Sequence, residues 1–150
     1  MNKIALLIPC FVLCLTGCIR FGHSTGPAAE NQTAEILFTE KKYDEAISVY
    51  RKVLAADPAP SAEDAANASF GLAYTRAFYD NPQRNYPQAL QEFDEFLKQY
   101  PDNARSHEAQ NWRSVLKIIV EARKENEHLS KSIEQLKKLD IRHEERRGGK

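Results

Sequence analysis

The chain has 150 residues, 21 Lys plus Arg against 21 Asp plus Glu, a formal net charge of zero and only three cysteines. The charge balance excludes the basic footprint of a nucleic-acid binder, and the cysteine count excludes a small fold stapled by several disulfides. Its length allows one modest domain beyond any targeting segment.

The first element reads as such a segment. Met1-Asn2-Lys3 gives a short basic start, and Ile4 to Leu15 is apolar apart from Pro9. A run of about a dozen apolar residues has the plan of a secretory signal and falls short of the ~20 that span a membrane. It ends in Leu15-Thr16-Gly17-Cys18. This pattern resembles the lipobox of bacterial lipoproteins. The resemblance implies cleavage after residue 17, diacylation of Cys18 and a permanent membrane anchor, because two or more acyl chains suffice where one does not. Ile19 rather than Asp follows the cysteine, which by the same resemblance implies the outer membrane, facing the periplasm. Cys10 and Cys14 leave with the leader, so neither a disulfide nor a cysteine metal site is expected. No metal site or cofactor is expected besides the covalent lipid on Cys18.

Residues 18–31 read as a flexible tether. They contain Gly22-His23-Ser24-Thr25-Gly26, a literal G-x-S-x-G, and a serine hydrolase acting through Ser24 is the remote alternative. That elbow requires a strand before the serine and a helix after it. Here a cleaved leader precedes Ser24, and Gly26-Pro27-Ala28-Ala29, a linker composition, follows. No enzyme is expected.

Beyond the tether, long Ala/Glu/Lys/Leu/Gln stretches separated by a few Gly and Pro predict an all-α domain over 32–122. Tyr43-Asp44-Glu45-Ala46-Ile47-Ser48-Val49-Tyr50 recurs, shifted by 43 residues, as Tyr86-Pro87-Gln88-Ala89-Leu90-Gln91-Glu92-Phe93. The same shift matches Leu54 to Leu97 and Pro58 to Pro101. Both copies resemble the second helix of a tetratricopeptide repeat. In it a small Ala admits the paired helix, an aromatic four residues later fills the space beneath, and Pro stops the helix. Phe70-Gly71-x-x-Tyr74 is similar to the first-helix motif, with Gly71 at the close-contact position, while Ala34 and Leu37 make a weaker match for the preceding repeat. The surplus over the usual ~34-residue period falls in 59–64, where Ser61 is a candidate N-cap, and in 80–85, a turn-rich excursion.

Tyr86 to Trp112 resembles more narrowly the BamD-type tetratricopeptide lipoproteins of the outer membrane. That resemblance implies a protein-binding scaffold in an envelope complex, of the outer-membrane protein assembly type. Short QseG-like lipoproteins that accompany envelope sensor histidine kinases are the rival. Such stacks bind protein on the concave side lined by first helices. By motif position this points to Ala68, Leu72, Thr75 and Arg76, with Trp112 and Arg113 on the next helix.

After Pro101, capped by Asp102 or Asn103, no Gly or Pro interrupts residues 104–146. Ser106 to Ala122 is expected to pack on the second hairpin as part of a third repeat. Trp112, Val115, Ile119, Ala122, Asn126, Leu129, Ile133 and Leu136 follow alternating steps of three and four, the a/d seam of a coiled coil, with Asn126 at an a position. Over 123–146 the seam is expected either to fold back on the repeats or to pair with another helix, including self-association. Residues 147–150 read as a disordered tail. His107-Glu108 lacks the second histidine of H-E-x-x-H, and His128 and His143 have no companions at ligand spacing. Glu92, Asp94 and Glu95 read as a solvated helix face. Asn31-Gln32-Thr33 and Asn67-Ala68-Ser69 are glycosylation sequons that a bacterial lipoprotein would rarely use.

Overall fold

The computed structural model describes residues 26–148, so Cys18, Ser24 and the stretch expected to be a leader lie outside the described residues. Among the described residues there are five helices and no strand. They are α1 (Pro27–Thr39), α2 (Tyr43–Leu54), α3 (Ala62–Ala77), α4 (Tyr86–Gln99) and α5 (Ser106–Gly148). Each packs against the next, and α1 also meets α3.

Local chemistry sets the boundaries. Pro27 occupies the first turn of α1 after an extended Gly26, a position where its fixed φ suits the helix and no N–H is needed. Residues 27–31, expected in the tether, therefore belong to a helix. The end of α1 is closed by Lys41 in the left-handed region at φ 62°. Its N–H bonds Phe38 O at 3.0 Å while the Lys42 N–H bonds Leu37 O at 2.9 Å, the paired bonds of a Schellman cap on a non-glycine residue. Ser61 caps α3, accepting from the Asp64 N–H at 3.1 Å. Asn85 caps α4, accepting from the Gln88 N–H at 3.1 Å. The expected start of the last helix at 104 is two residues early. Residues 101–105 form turns, in which Asn103 Oδ1 accepts from the Arg105 N–H at 2.9 Å.

Amphipathic spacing directs the packing of α2 and α4. On α2, Tyr43, Ala46, Ile47, Tyr50 and Val53 are buried, and on α4, Ala89, Phe93 and Phe96, in both cases one helical stripe. Helix α3 differs. Nine of its residues are buried, on more than one face. Phe70, Ala73 and Ala77 join Phe93, Phe96 and Leu116 in one core, while Ala68 and Leu72 join Ala46, Tyr50 and Val53 in a second. The small residues of α3 let neighbours close in from several sides. Gly71 is the tightest point, since a Cβ built there would lie 2.6 Å from Tyr50 Cε1. Phe38 to Tyr74, at 5.4 Å between ring centroids, joins the two cores, and Tyr74 to Trp112 at 5.3 Å and Phe70 to Phe93 at 5.4 Å extend the aromatic packing within the first.

The 80–85 excursion is tied down rather than loose. Asn81 is buried, donating to Thr75 O at 2.9 Å and accepting from the Gln83 N–H at 2.8 Å. Asp80 pairs with Lys41 at 2.6 Å, and Gln83 bonds Asp44 at 2.6 Å. The α3–α4 loop thus docks on the α1–α2 turn. Of the two last stretches, 147–148 continue α5 instead of starting a tail.

Candidate interaction surface

Helix α5 has 43 residues, of which only Ser106, Ala109 and Leu116 are buried. Its first part lies along α4. Ser106 Oγ donates to Tyr100 O at 2.8 Å, Arg113 pairs with Asp94 at 2.6 Å, and the Arg123 guanidinium lies 4.7 Å from the centre of the Tyr86 ring. Tyr86 begins α4, so Arg123 marks the last anchoring contact. Residues 124–148 continue past the bundle for ~37 Å at 1.5 Å per residue.

This projecting segment carries half of the large apolar side chains left open to solvent among the described residues. Leu129 is 51% exposed, Ile133 52% and Leu136 64%, with Leu139 and Ile141 also exposed. The expectation that the seam folds back on the repeats is not met. At ~100° per residue, positions 126, 129, 133 and 136 lie roughly a third of a turn from the line through Ala109, Leu116 and Arg123 that faces α4. One straight helix cannot turn both lines to the same neighbour. This free apolar stripe on a solvated helix is the candidate interaction surface.

The residues expected to line a concave binding face are placed otherwise. Ala68, Leu72, Thr75 and Arg76 are all buried, Arg76 retaining 8% exposure. They are packing residues, because α1, α2, α4 and the loop after α3 enclose this helix. Thr75 Oγ1 turns inward and donates to Gly71 O at 2.7 Å. Trp112 is half-buried against the first core, stacked near Phe93. Arg113 alone of the six is exposed, and it is engaged by Asp94. Of the residues read as the repeat framework, Tyr43, Ala46, Tyr50, Gly71, Ala89 and Phe93 are buried, and Tyr74 and Tyr86 are partly so. Pro58 and Pro101 are exposed just beyond α2 and α4.

Glu92 corrects the reading of a solvated acidic face. Its Oε1 lies 2.8 Å from Arg76 Nε, and the two side chains are 15% and 10% exposed. Arg76 Nη1 donates to Gln88 Oε1 at 3.2 Å, and Gln88 Nε2 donates to Glu92 Oε1 at 3.3 Å. Arg76 Nη2 and Glu92 Oε2 are enclosed without a hydrogen-bond partner. Burial pushes the Glu92 carboxyl above its ordinary value, and the adjacent Arg76 offsets this only in part. Sequence periodicity offered no sign of this pair, since each residue reads alone as surface charge. Beside the pair runs a groove of about 450 Å³ whose lining includes Leu54, Pro60, Leu72, Glu95, Gln99 and Tyr100.

Among the described residues no group of three or more His, Cys, Asp or Glu is placed to hold a metal ion. None of the described helices is long and apolar enough to cross a membrane. Compared with protein-family models, curated proteins and solved structures, the chain matches none.

Proposed function

We propose that this chain is a non-catalytic, lipid-anchored scaffold that binds protein in a bacterial envelope complex, of the outer-membrane protein assembly type. In this reading the helices are a tetratricopeptide-type stack of two hairpins plus the first helix of a third, α1 with α2, α3 with α4, and the start of α5. Cys18 carries the lipid and holds the stack at the periplasmic face of the outer membrane. The observation that carries the reading is the projecting half of α5, with Leu129, Ile133 and Leu136 about half or more exposed. A stack of so few repeats ends on an unfinished face, and this helix offers a partner a ready apolar stripe. The close approach of Gly71 to Tyr50 and the succession of neighbour contacts support the repeat arrangement.

The test is crosslinking and pull-down of the full chain from membranes. Barrel-assembly subunits are the expected catch. A histidine kinase ectodomain would instead support the sensor-kinase reading, and recovery of neither overturns both. Cys18→Ser should release the chain from the outer-membrane fraction, and unchanged fractionation would remove the anchor.

A further inference from the structure

The free half of α5 has a definite charge pattern beside its apolar seam, and that pattern selects a partner. Continuing the heptad, a positions are Asn126, Ile133 and Asp140, and d positions are Leu129, Leu136 and His143. The flanking e positions are Arg123, Ser130, Lys137 and Glu144, and the g positions are Glu125, Ser132, Leu139 and Arg146. These flanks decide orientation and register in a two-stranded coil.

A parallel, in-register pair sets Asp140 against Asp140 inside the seam and brings no opposite charges together at the flanks. Glu125 would face Ser130, Ser132 would face Lys137, and Leu139 would face Glu144. An antiparallel pair in which Ile133 lies opposite Leu136 of a second copy behaves differently. Glu125 then faces Arg146 of the second copy, and symmetry repeats the contact, giving two complementary flanking pairs, while Arg123, held on Tyr86, stands level with Glu144. Ile133 and Leu136 form the centre, and Asn126 meets His143 toward each end. Sliding by one heptad destroys the match: one direction sets Arg123 against Lys137, the other sets Lys137 against Lys137. Like charges at such positions oppose pairing.

The length of free helix agrees with this register. The last anchoring contact is Arg123 on Tyr86, and α5 ends at Gly148. The favoured register sets residue 124 of one copy beside residue 145 of the other, so the two projecting segments overlap over residues 124–145. That overlap spans about three heptads, with Leu129, Ile133 and Leu136 supplying the apolar contacts of the seam. We infer that the projecting half of α5 pairs antiparallel with the same segment of a second copy of this chain, with Ile133 packed on Leu136. This deepens the scaffold reading by naming one occupant of the seam, and it makes the scaffold two-bodied.

Disulfide trapping of the full chain in membranes tests it. Leu129 lies opposite Asp140 of the second copy in this register, so Leu129→Cys together with Asp140→Cys should give an inter-chain disulfide mapped to 129–140 by mass spectrometry. Each single variant should give no link between identical positions. Reversing Arg146 to Glu sets it against Glu125 of the second copy and should weaken the link, and adding Glu125→Arg should restore it. All these positions are exposed, so misfolding does not confound the result. A 129–129 or 140–140 link in the single variants would establish a parallel pair and overturn the proposal, as would the absence of any inter-chain link. In that last case a heterologous protein recovered by pull-down would leave the scaffold reading standing.

Discussion

Gly71→Ala is the most direct probe of how α3 is held. In an isolated helix the change would stabilise, since Gly in a helix interior is worse than Ala by about 1 kcal/mol. Here the new Cβ would sit 2.6 Å from Tyr50 Cε1, inside the ring's van der Waals surface. Tyr50 is buried on α2 and stacked into the core with Ala46, Val53 and Leu72, so its ring cannot swing aside freely. Overpacking of this kind costs about 1–3 kcal/mol, which outweighs the propensity gain. The net expectation is a loss of about 1 kcal/mol, or roughly 3–5 °C in Tm for a domain of this size. Urea titration followed by circular dichroism should show a lower midpoint at unchanged slope. The Tyr50→Ala background supplies the control. With the ring gone, the same Gly71→Ala change should stabilise by about 1 kcal/mol, because only the propensity remains. A sign reversal across that cycle is the signature of direct contact. If Gly71→Ala raises stability in the wild-type background as well, the close approach is not what holds α2 on α3.

Three further outcomes follow from the packing and the charges. Arg76→Met alone leaves the Glu92 carboxylate enclosed without its cation and should cost about 2 kcal/mol or more, whereas Arg76→Met with Glu92→Leu should fall within about 1 kcal/mol of wild type; equal losses in the single and double variants would refute the pairing. Burial raises the Tyr50 hydroxyl to about 12, so its contribution is complete below the ordinary tyrosine value of about 10 and drains away as pH rises through the folded value. Tyr50→Phe should flatten that alkaline loss of stability, read by denaturant midpoints at successive pH. Ile133→Asp should leave the stability of the helical body within about 0.5 kcal/mol at dilutions where chains are separate, and a much larger loss would mean that the seam packs on the body.

The helices were legible because their signals are local. Ser61 and Asn85 sit where caps are needed, and the α2 and α4 stripes repeat at helical spacing. The start at Pro27 was hidden because Gly-Pro-Ala-Ala suits a linker as well as a first helical turn. What failed to show was the surroundings of α3. A one-dimensional pattern reveals which face of a helix is apolar, but α3 is made of small residues and is enclosed on several sides, so Thr75 and Arg76 vanish inside despite their polarity. Glu92 was obscured for the same reason, as its partner lies 16 residues away on another helix. The seam of α5 was visible. Its fate was not, because the angle between two stripes on one helix matters only once the neighbour's position is known.

The 43-residue helix also divides the molecule by how its order is maintained. Up to Arg123 its turns are clamped by α4. Beyond that, the described contacts are local ones, such as Glu134 with Lys138 at 2.7 Å, and solvated helical turns without tertiary support open readily. Amide protons of residues 124–148 should therefore exchange with solvent far faster than those of α3, and proteases should clip this end first while leaving a trimmed, intact body. Protection appearing there in cells would be a direct gauge of occupancy, with the tip acting as its own reporter of whether it has company.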